Sequence, residues 1–314
     1  MMQFKQSASG SIMLLGEYAV LHHGHALVCA IDKRVHVQLT PRTDETIEII
    51  STLGKYQTTL GQLEIIAPFQ FVLAAIKARQ PQLQQGFTLT IESEFSDQMG
   101  LASSAAVTVA TLAVIAMWLQ VALSPLQLIE QARQVVQAVQ GMGSGADVAA
   151  CVLGGVVAYR REPLMAEKIS ESCPLNLIYS GSKIPTPVVV KQVETRFVDH
   201  PEIYQQLLQS IDVCAQQGIA ALKNQNLSAL GRAMTIQQGL MQALGVNTPL
   251  LQGIVEEMLS TPDVLGAKIS GSGLGDCVVA LGALRHHDMT RFAAQGIKQI
   301  PIAVVTEGVR CEKI

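Results

Sequence analysis

Short apolar runs punctuated by glycine open the chain. Ile12-Met13-Leu14-Leu15 predicts a buried strand that stops at Gly16-Glu17, residues 26–31 predict a second, and Val35-His36-Val37-Gln38-Leu39 alternates as a third. Residues 47–51 and 55–60 fit a hairpin around Gly54, and 69–78 has helical spacing. Phe87, Leu89 and Ile91 alternate with Thr88, Thr90 and Glu92, the pattern of a half-buried strand. At Ser103 the period switches to that of a helix. Ser124-Pro125-Leu126-Gln127 begins another, with Ser as N-cap, Pro at the first position and Gln three beyond the cap; Leu126, Ile129, Val136 and Val139 fall on one face. Residues 154–159 and 175–179 read as strands. The second half is helix-rich, with helical periodicity over 201–222, 227–244 and 248–259. Strands follow at 267–269 and 277–281, and 302–306 predicts a closing strand. Charge and proline cluster at 162–174, which divides the chain into domains at 1–170 and 171–314.

One stretch tests the globular reading. No charged residue occurs between Gln98 and Ile129, and residues 105–123 are nearly all apolar, long enough for a bilayer, which takes about 20 residues. The run is Ala-rich, contains Thr108, Thr111 and Gln120, and has no flanking Lys/Arg bias, so it reads as a helix buried on all sides in a large domain. The composition agrees: 314 residues, 49% hydrophobic and 15% charged, are enough for a substantial core and exclude wholesale disorder. With aromatics at 4%, Ala, Val, Leu and Ile must build that core. The net charge of −3 and the absence of any basic run exclude a nucleic-acid surface. Six scattered cysteines without CxxC spacing read as reduced, cytosolic thiols. The expected partner is a small molecule, with a homodimer left open.

Three loops carry candidate chemistry. Gly100-Leu101-Ala102-Ser103-Ser104 follows a strand and opens a helix, whose unpaired N–H groups and partial positive charge suit phosphate; an ordinary turn with a Ser cap is the alternative. It is not a Walker A loop, because no Gly-Lys-Ser/Thr is present. Gly141-Met142-Gly143-Ser144-Gly145-Ala146-Asp147 places one acid in an apolar setting, fit to accept a hydroxyl proton or to cap the next segment. Ser270-Gly271-Ser272-Gly273-Leu274-Gly275-Asp276-Cys277 is glycine-dense, as a close ligand or a tight connection between strands requires.

Together with Ala8-Ser9-Gly10 leading into Leu15-Gly16-Glu17-Tyr18-Ala19-Val20-Leu21, these loops resemble the GHMP kinase superfamily in content and order, over nearly the whole chain. The resemblance implies an α+β, two-domain fold: an N-terminal ribosomal-protein-S5-like α/β domain and a C-terminal ferredoxin-like α/β domain, with ATP and Mg2+ in the cleft between them. It implies that Gly100, Leu101, Ala102, Ser103 and Ser104 hold the triphosphate, that Ser104 ligates magnesium, and that Asp147 is the catalytic acid. Glu17, Tyr18, Gly271, Ser272 and Gly273 would line the substrate end.

The pattern departs from that family in places. Gln98 and Ala102 stand where glycine is common, and Ala102 is expected to keep φ negative. The first-strand Lys that mevalonate kinases place beside the catalytic Asp falls on Ser11, with Lys183 or Lys5 as possible stand-ins, and their magnesium Glu falls on Val136. Leu230-Gly231-Arg232-Ala233-Met234 through Leu244-Gly245-Val246 is similar to mevalonate kinases, which makes mevalonate the expected acceptor. Tyr18 and Gly275-Asp276-Cys277 resemble phosphomevalonate kinases; a phosphorylated acceptor would look to Lys33, Arg34, Arg160 and Lys183 for charge. With Ser11 and Val136, a ligand-binding relative without kinase activity stays open.

Overall fold

The computed structural model describes residues 3–284 and 296–313. Its first half is built on β1 (Phe4–Leu15), β2 (His25–Pro41), β3 (Thr46–Ser51), β4 (Gly54–Thr59) and β5 (Phe87–Ser93). They line up as β1-β2-β5-β3-β4, and only β3 and β5 run parallel. The two strands expected at 26–31 and 35–39 are one strand, β2. Asp32-Lys33-Arg34 interrupts the apolar pattern without ending the strand, because the pairing with β1 slips between Ser9 and Gly10 as a bulge does. The far half of β2 pairs with β5, while its near half pairs with β6 (Val156–Arg160), which in turn pairs with β7 (Met165–Ser170).

Helices cover this sheet: α1 (Gln70–Lys77), α2 (Ser103–Trp118), α3 (Pro125–Gln140) and α4 (Ala146–Leu153). α2 is the uncharged run. It packs against β1, β2, α1, α3 and α4, so its apolar residues are buried on several sides, which is why it shows no polar face. No described helix is long and apolar enough to cross a membrane. α3 starts as read, with Ser124 Oγ accepting from Gln127 N and Gln127 Oε1 accepting from Ser124 N. Its buried face is Leu128, Ile129, Ala132, Val135 and Val136; Leu126, expected inside, is 48% exposed because the helical repeat carries it round from that face.

After Ser170 the chain enters a second sheet, ordered β11-β8-β10-β9, from β8 (Leu175–Tyr179), β9 (Val264–Ser270), β10 (Cys277–Gly282) and β11 (Lys298–Ile300). α5 (Thr186–Arg196), α6 (Pro201–Lys223), α7 (Leu227–Ala243) and α8 (Pro249–Ser260) accompany it. α6 and α7 straddle the two halves, giving Cys214, Ala215, Leu230 and Met234 to the first core. The expected closing strand is only a single bridge, Val304 to Ile31, and the chain then returns to the first sheet, where β12 (Arg310–Cys311) pairs with β1. The result is two α+β units, with β1 and β12, the first and last described strands, on the same sheet.

Candidate active site

Four segments converge on a cleft of about 910 Å³ between the two sheets. The first is the end of β1. Gly16 turns the chain with φ +96, where a Cβ would lie 2.2 Å from His25 O. Glu17 then turns inward and is 4% exposed. Its Oε1 takes Lys268 Nζ and the Gly271 N–H, and its Oε2 takes Gln237 Nε2. Tyr18 donates its hydroxyl to Ser272 O at 2.5 Å, and burial pushes that phenol above its usual range. Glu17 and Tyr18 line the cleft, but their polar atoms are spent on β9, α7 and the Gly271-Ser272 backbone, which they hold in place.

The second segment is the start of α2. After a short turn at Asp97–Met99, Gly100 adopts φ +69 and Ala102 adopts φ +57. The negative φ expected of Ala102 is therefore wrong. The chain must reverse between Leu101, whose buried side chain enters the core and whose carbonyl accepts from Ser11 N, and the fixed helix behind it. No side chain caps α2, and Gly100, Ala102, Ser103, Ser104 and Ala105 face the cleft while Leu101 does not. First-turn N–H groups without intrahelical partners thus look into the cavity.

The third contribution is the turn between α3 and α4. Gly145 has φ +90, and a Cβ there would sit 2.5 Å from Tyr159 Oη and 2.8 Å from Arg133 Cδ, so no side chain fits. This places Asp147 at the cleft floor in the first turn of α4, with Ser11 Oγ donating to Oδ1 at 2.8 Å. Burial raises the Asp147 carboxyl above the ordinary range, partly offset by the Ser11 hydrogen bond, with Glu17 pushing up and Lys183 pulling down. Val136 and Gln140 line the wall nearby.

The fourth is the β9–β10 loop together with the segment after β8. Gly271 and Ser272 face the cleft; Gly273 does not, and packs on Val246 instead, where a Cβ would be 2.7 Å from that side chain. Asp276 was named only as part of its glycine loop and given no role. It is 4% exposed with φ +62, and Oδ1 is buried without a hydrogen-bond partner. It presses on the phosphate-loop candidate: a Cβ on Gly100 would lie 2.9 Å from Asp276 Oδ1. Burial pushes its carboxyl up to about 6. The signal for it was the same as for Asp147, a lone acid after a glycine run. Residues 179–187 form the remaining wall, also unforeseen except for Lys183. Asp276 N donates to Ser182 O, and Ser180 N to Asp276 O, at 2.8 and 2.9 Å.

Positive charge in the cleft is sparse. Among the described residues, Lys183 is the only lysine or arginine that lines it. Arg34 is buried against Ser7, Arg160 donates to His23 O, and Lys5 pairs across the sheet with Gln38, so these and Lys33 lie elsewhere. No group of three or more His, Cys, Asp or Glu side chains among the described residues has the arrangement of a metal cage.

The chain is similar to known proteins in sequence and in fold. Residues 70–155 match the GHMP kinases N terminal domain and residues 219–293 match the GHMP kinases C terminal family. A mevalonate kinase of Thermococcus sibiricus is 28% identical over 333 residues, covering 100% of this chain and 99% of its own. A mevalonate kinase of Archaeoglobus fulgidus is 31% identical, covering 88% of this chain and 91% of its own. In fold, the crystal structure of a Lin0012 protein from Listeria innocua superposes with a TM-score of 0.87 at 23% identity, over 99% of this chain and 100% of that one.

Proposed function

The chain belongs to the GHMP kinases, and from that membership we propose that it transfers the γ-phosphoryl group of ATP to the primary hydroxyl of mevalonate. The observation that carries this reading is the meeting, in one cleft, of Asp147 pinned by Ser11 and the uncapped start of α2. The N–H groups of Ser103, Ser104 and Ala105 cradle the phosphates, and Gly100 lets the backbone approach. Asp147 accepts the proton of the acceptor hydroxyl as its oxygen attacks the γ-phosphorus; the bond from that phosphorus to the β–γ bridging oxygen breaks and ADP leaves. A carboxyl raised by burial is better suited to hold that proton than an ordinary one. Glu17 and Tyr18 keep Gly271 and Ser272 against the acceptor.

A divalent cation fits the residues present. A buried carboxylate oxygen without a hydrogen-bond partner, Asp276 Oδ1, abuts the phosphate loop, and Ser104 lines the same cleft. Ser104 and Asp276 would hold Mg2+, in place of the acid missing at Val136. When bound, the ion supplies neutralisation of the triphosphate charge, with water completing its shell.

Mevalonate is favoured over its 5-phosphate as acceptor. The phosphorylated compound brings up to two more negative charges into a cleft whose described lining holds a single cation. An ADP-release assay with mevalonate, 5-phosphomevalonate, homoserine and galactose tests the substrate; saturable turnover with mevalonate is expected, and turnover confined to another acceptor overturns the choice. Asp147→Asn should lower kcat by about three orders of magnitude while a fluorescent ATP analogue still binds. Wild-type-like turnover in that variant would sink the role given to Asp147.

A further inference from the structure

We propose that Lys183 is a catalytic residue of this kinase, its ammonium contacting the γ-phosphoryl group in flight. The inference rests on the phosphotransfer reading above and names the cation for a site that carries only a neutral Ser11 beside its acid.

Position comes first. Lys183 sits in the segment between β8 and α5, and it is the one lysine or arginine lining the cleft among the described residues. Its Nζ donates to Asp97 O at 2.8 Å. Asp97 begins the turn that leads directly into Gly100, so the ammonium stands beside the phosphate-loop candidate although it comes from the other sheet.

The segment is also fixed. Ser180 and Ser182 bracket the Asp276 backbone with two hydrogen bonds, and a Cβ on Gly275 would strike Ser182 O at 2.9 Å. The lysine stem therefore rises from a rigid base, and only its flexible end must move to exchange a carbonyl for a phosphate oxygen.

Charge balance supplies the need. Four acids, Glu17, Asp97, Asp147 and Asp276, line the same cleft, and the Lys183 charge favours the ionised form of Asp147 while Glu17 opposes it. A triphosphate entering beside these carboxylates requires positive charge on the protein side. Helix N–H groups give only partial charge, and the transferring group gathers negative charge on its peripheral oxygens. A lysine ammonium aimed there acts as a point-charge stabiliser of the transition state.

The test uses the full chain with Lys183→Met and Lys183→Arg. Calorimetry with ATP and with ADP, in the presence of Mg2+, reads the γ-phosphate contact without any acceptor. The expected result is that Lys183→Met loses at least about tenfold of the preference for ATP over ADP, and that Lys183→Arg recovers part of it. In turnover, Lys183→Met should drop kcat by about a hundredfold or more, with KM for the acceptor changed only a few-fold. The acid limb of its pH profile should move to higher pH, as Asp147 loses a cation. A purely structural lysine would shift neither the ATP/ADP ratio nor that limb. Lys183→Met that keeps the wild-type ratio, or keeps kcat within about threefold, overturns the proposal. A wild-type protein that binds ATP yet phosphorylates none of the four acceptors would instead fail the phosphotransfer reading, and the ATP/ADP ratio would still decide Lys183.

Discussion

Asp276 bears an electrostatic burden that Lys183 relieves only in part, since its Oδ1 is buried without a hydrogen-bond partner and its backbone is left-handed at φ +62. Its carboxyl is pushed up to about 6, chiefly by burial, from about 3.9 in an unfolded chain. The folded state thus holds this proton more tightly. Stability from this residue is undiminished below the unfolded value and falls as pH rises through about 6, after which the loss is constant. Asp276→Asn removes the charge, so above about pH 7 it should be more stable than wild type by on the order of 2 kcal/mol, a gap that narrows toward about pH 4.5. Urea midpoints at the two pH values check this, and an equal gap at both would show that the buried charge is not its source. A single carboxylate kept at such a cost is what a functional site requires. At this scale the sequence was readable where composition alone marks a position: a lone Asp147 after three glycines, Gly100 and the small residues from Ala102 to Ser104. It misled on Ala102, whose φ of +57 is imposed by the burial of Leu101 and its bond from Ser11, a strand distant in sequence. It named Asp276 and Lys183 without uniting them, because backbone pairing between separate strands brings them together.

Among the elements, the join between β1 and β9 shows how the two sheets are held at the cleft. Lys268 is 0% exposed on β9, and its ammonium meets Glu17 just beyond β1. Burial pulls Lys268 below its usual range and Glu17 counters it. Gln237 of α7 completes the set, donating to Glu17 and accepting from Gly16 N at 3.0 Å. Removing one partner of a buried pair strands the other, so Lys268→Met should lose about 3–5 kcal/mol. Lys268→Met combined with Glu17→Gln should be much less unstable than the sum of the two single changes. A double-mutant cycle by urea denaturation reads the coupling, and simple additivity would mean that the pair is not a unit. Neither residue announced this in sequence: a lysine in an apolar strand and a glutamate after a turn are each ordinary, and only the crossing of β1 by β9 makes them partners. α2 was legible because burial on several sides leaves a long uncharged run, whereas β2 was misread as two strands because a bulge and a strand end both carry polar residues.

At the scale of the molecule, the second sheet is an insertion between the start of the chain and its last residues, which come home to the first sheet. The strip from Ala303 to Val309 lies between β2 and the start of β6: Asp32 N donates to Ala303 O, Val305 N to Ala30 O, and Gly155 N to Val305 O. Gly154 and Gly308 are needed for this contact, since a Cβ on Gly154 would fall 2.4 Å from Thr306 O and one on Gly308 would fall 2.3 Å from Val152 O. Arg34 locks it. The guanidinium, 5% exposed, gives Nε to Ser7 Oγ at 2.8 Å and Nη2 to Ser7 O at 3.0 Å, and it reaches the carbonyls of Glu307 and Gly308. The bulge of β2 is what turns this arginine inward, so a local slip in pairing becomes the anchor of the returning chain. Arg34→Leu keeps the volume of the stem but leaves those carbonyls without their donor. It should lose about 3 kcal/mol by equilibrium unfolding, several hydrogen bonds to a charged group being removed together. No atom of Arg34 lines the cleft. Initial rates measured well below the unfolding transition should therefore match wild type within about twofold, the precision expected for a site that has not moved. An unchanged midpoint would mean that the strip docks without Arg34. A fall in kcat with the midpoint unchanged would mean that the return of the chain sets the cleft itself, and the two sheets would then have to be regarded as one catalytic unit rather than two units joined at Glu17 and Lys268.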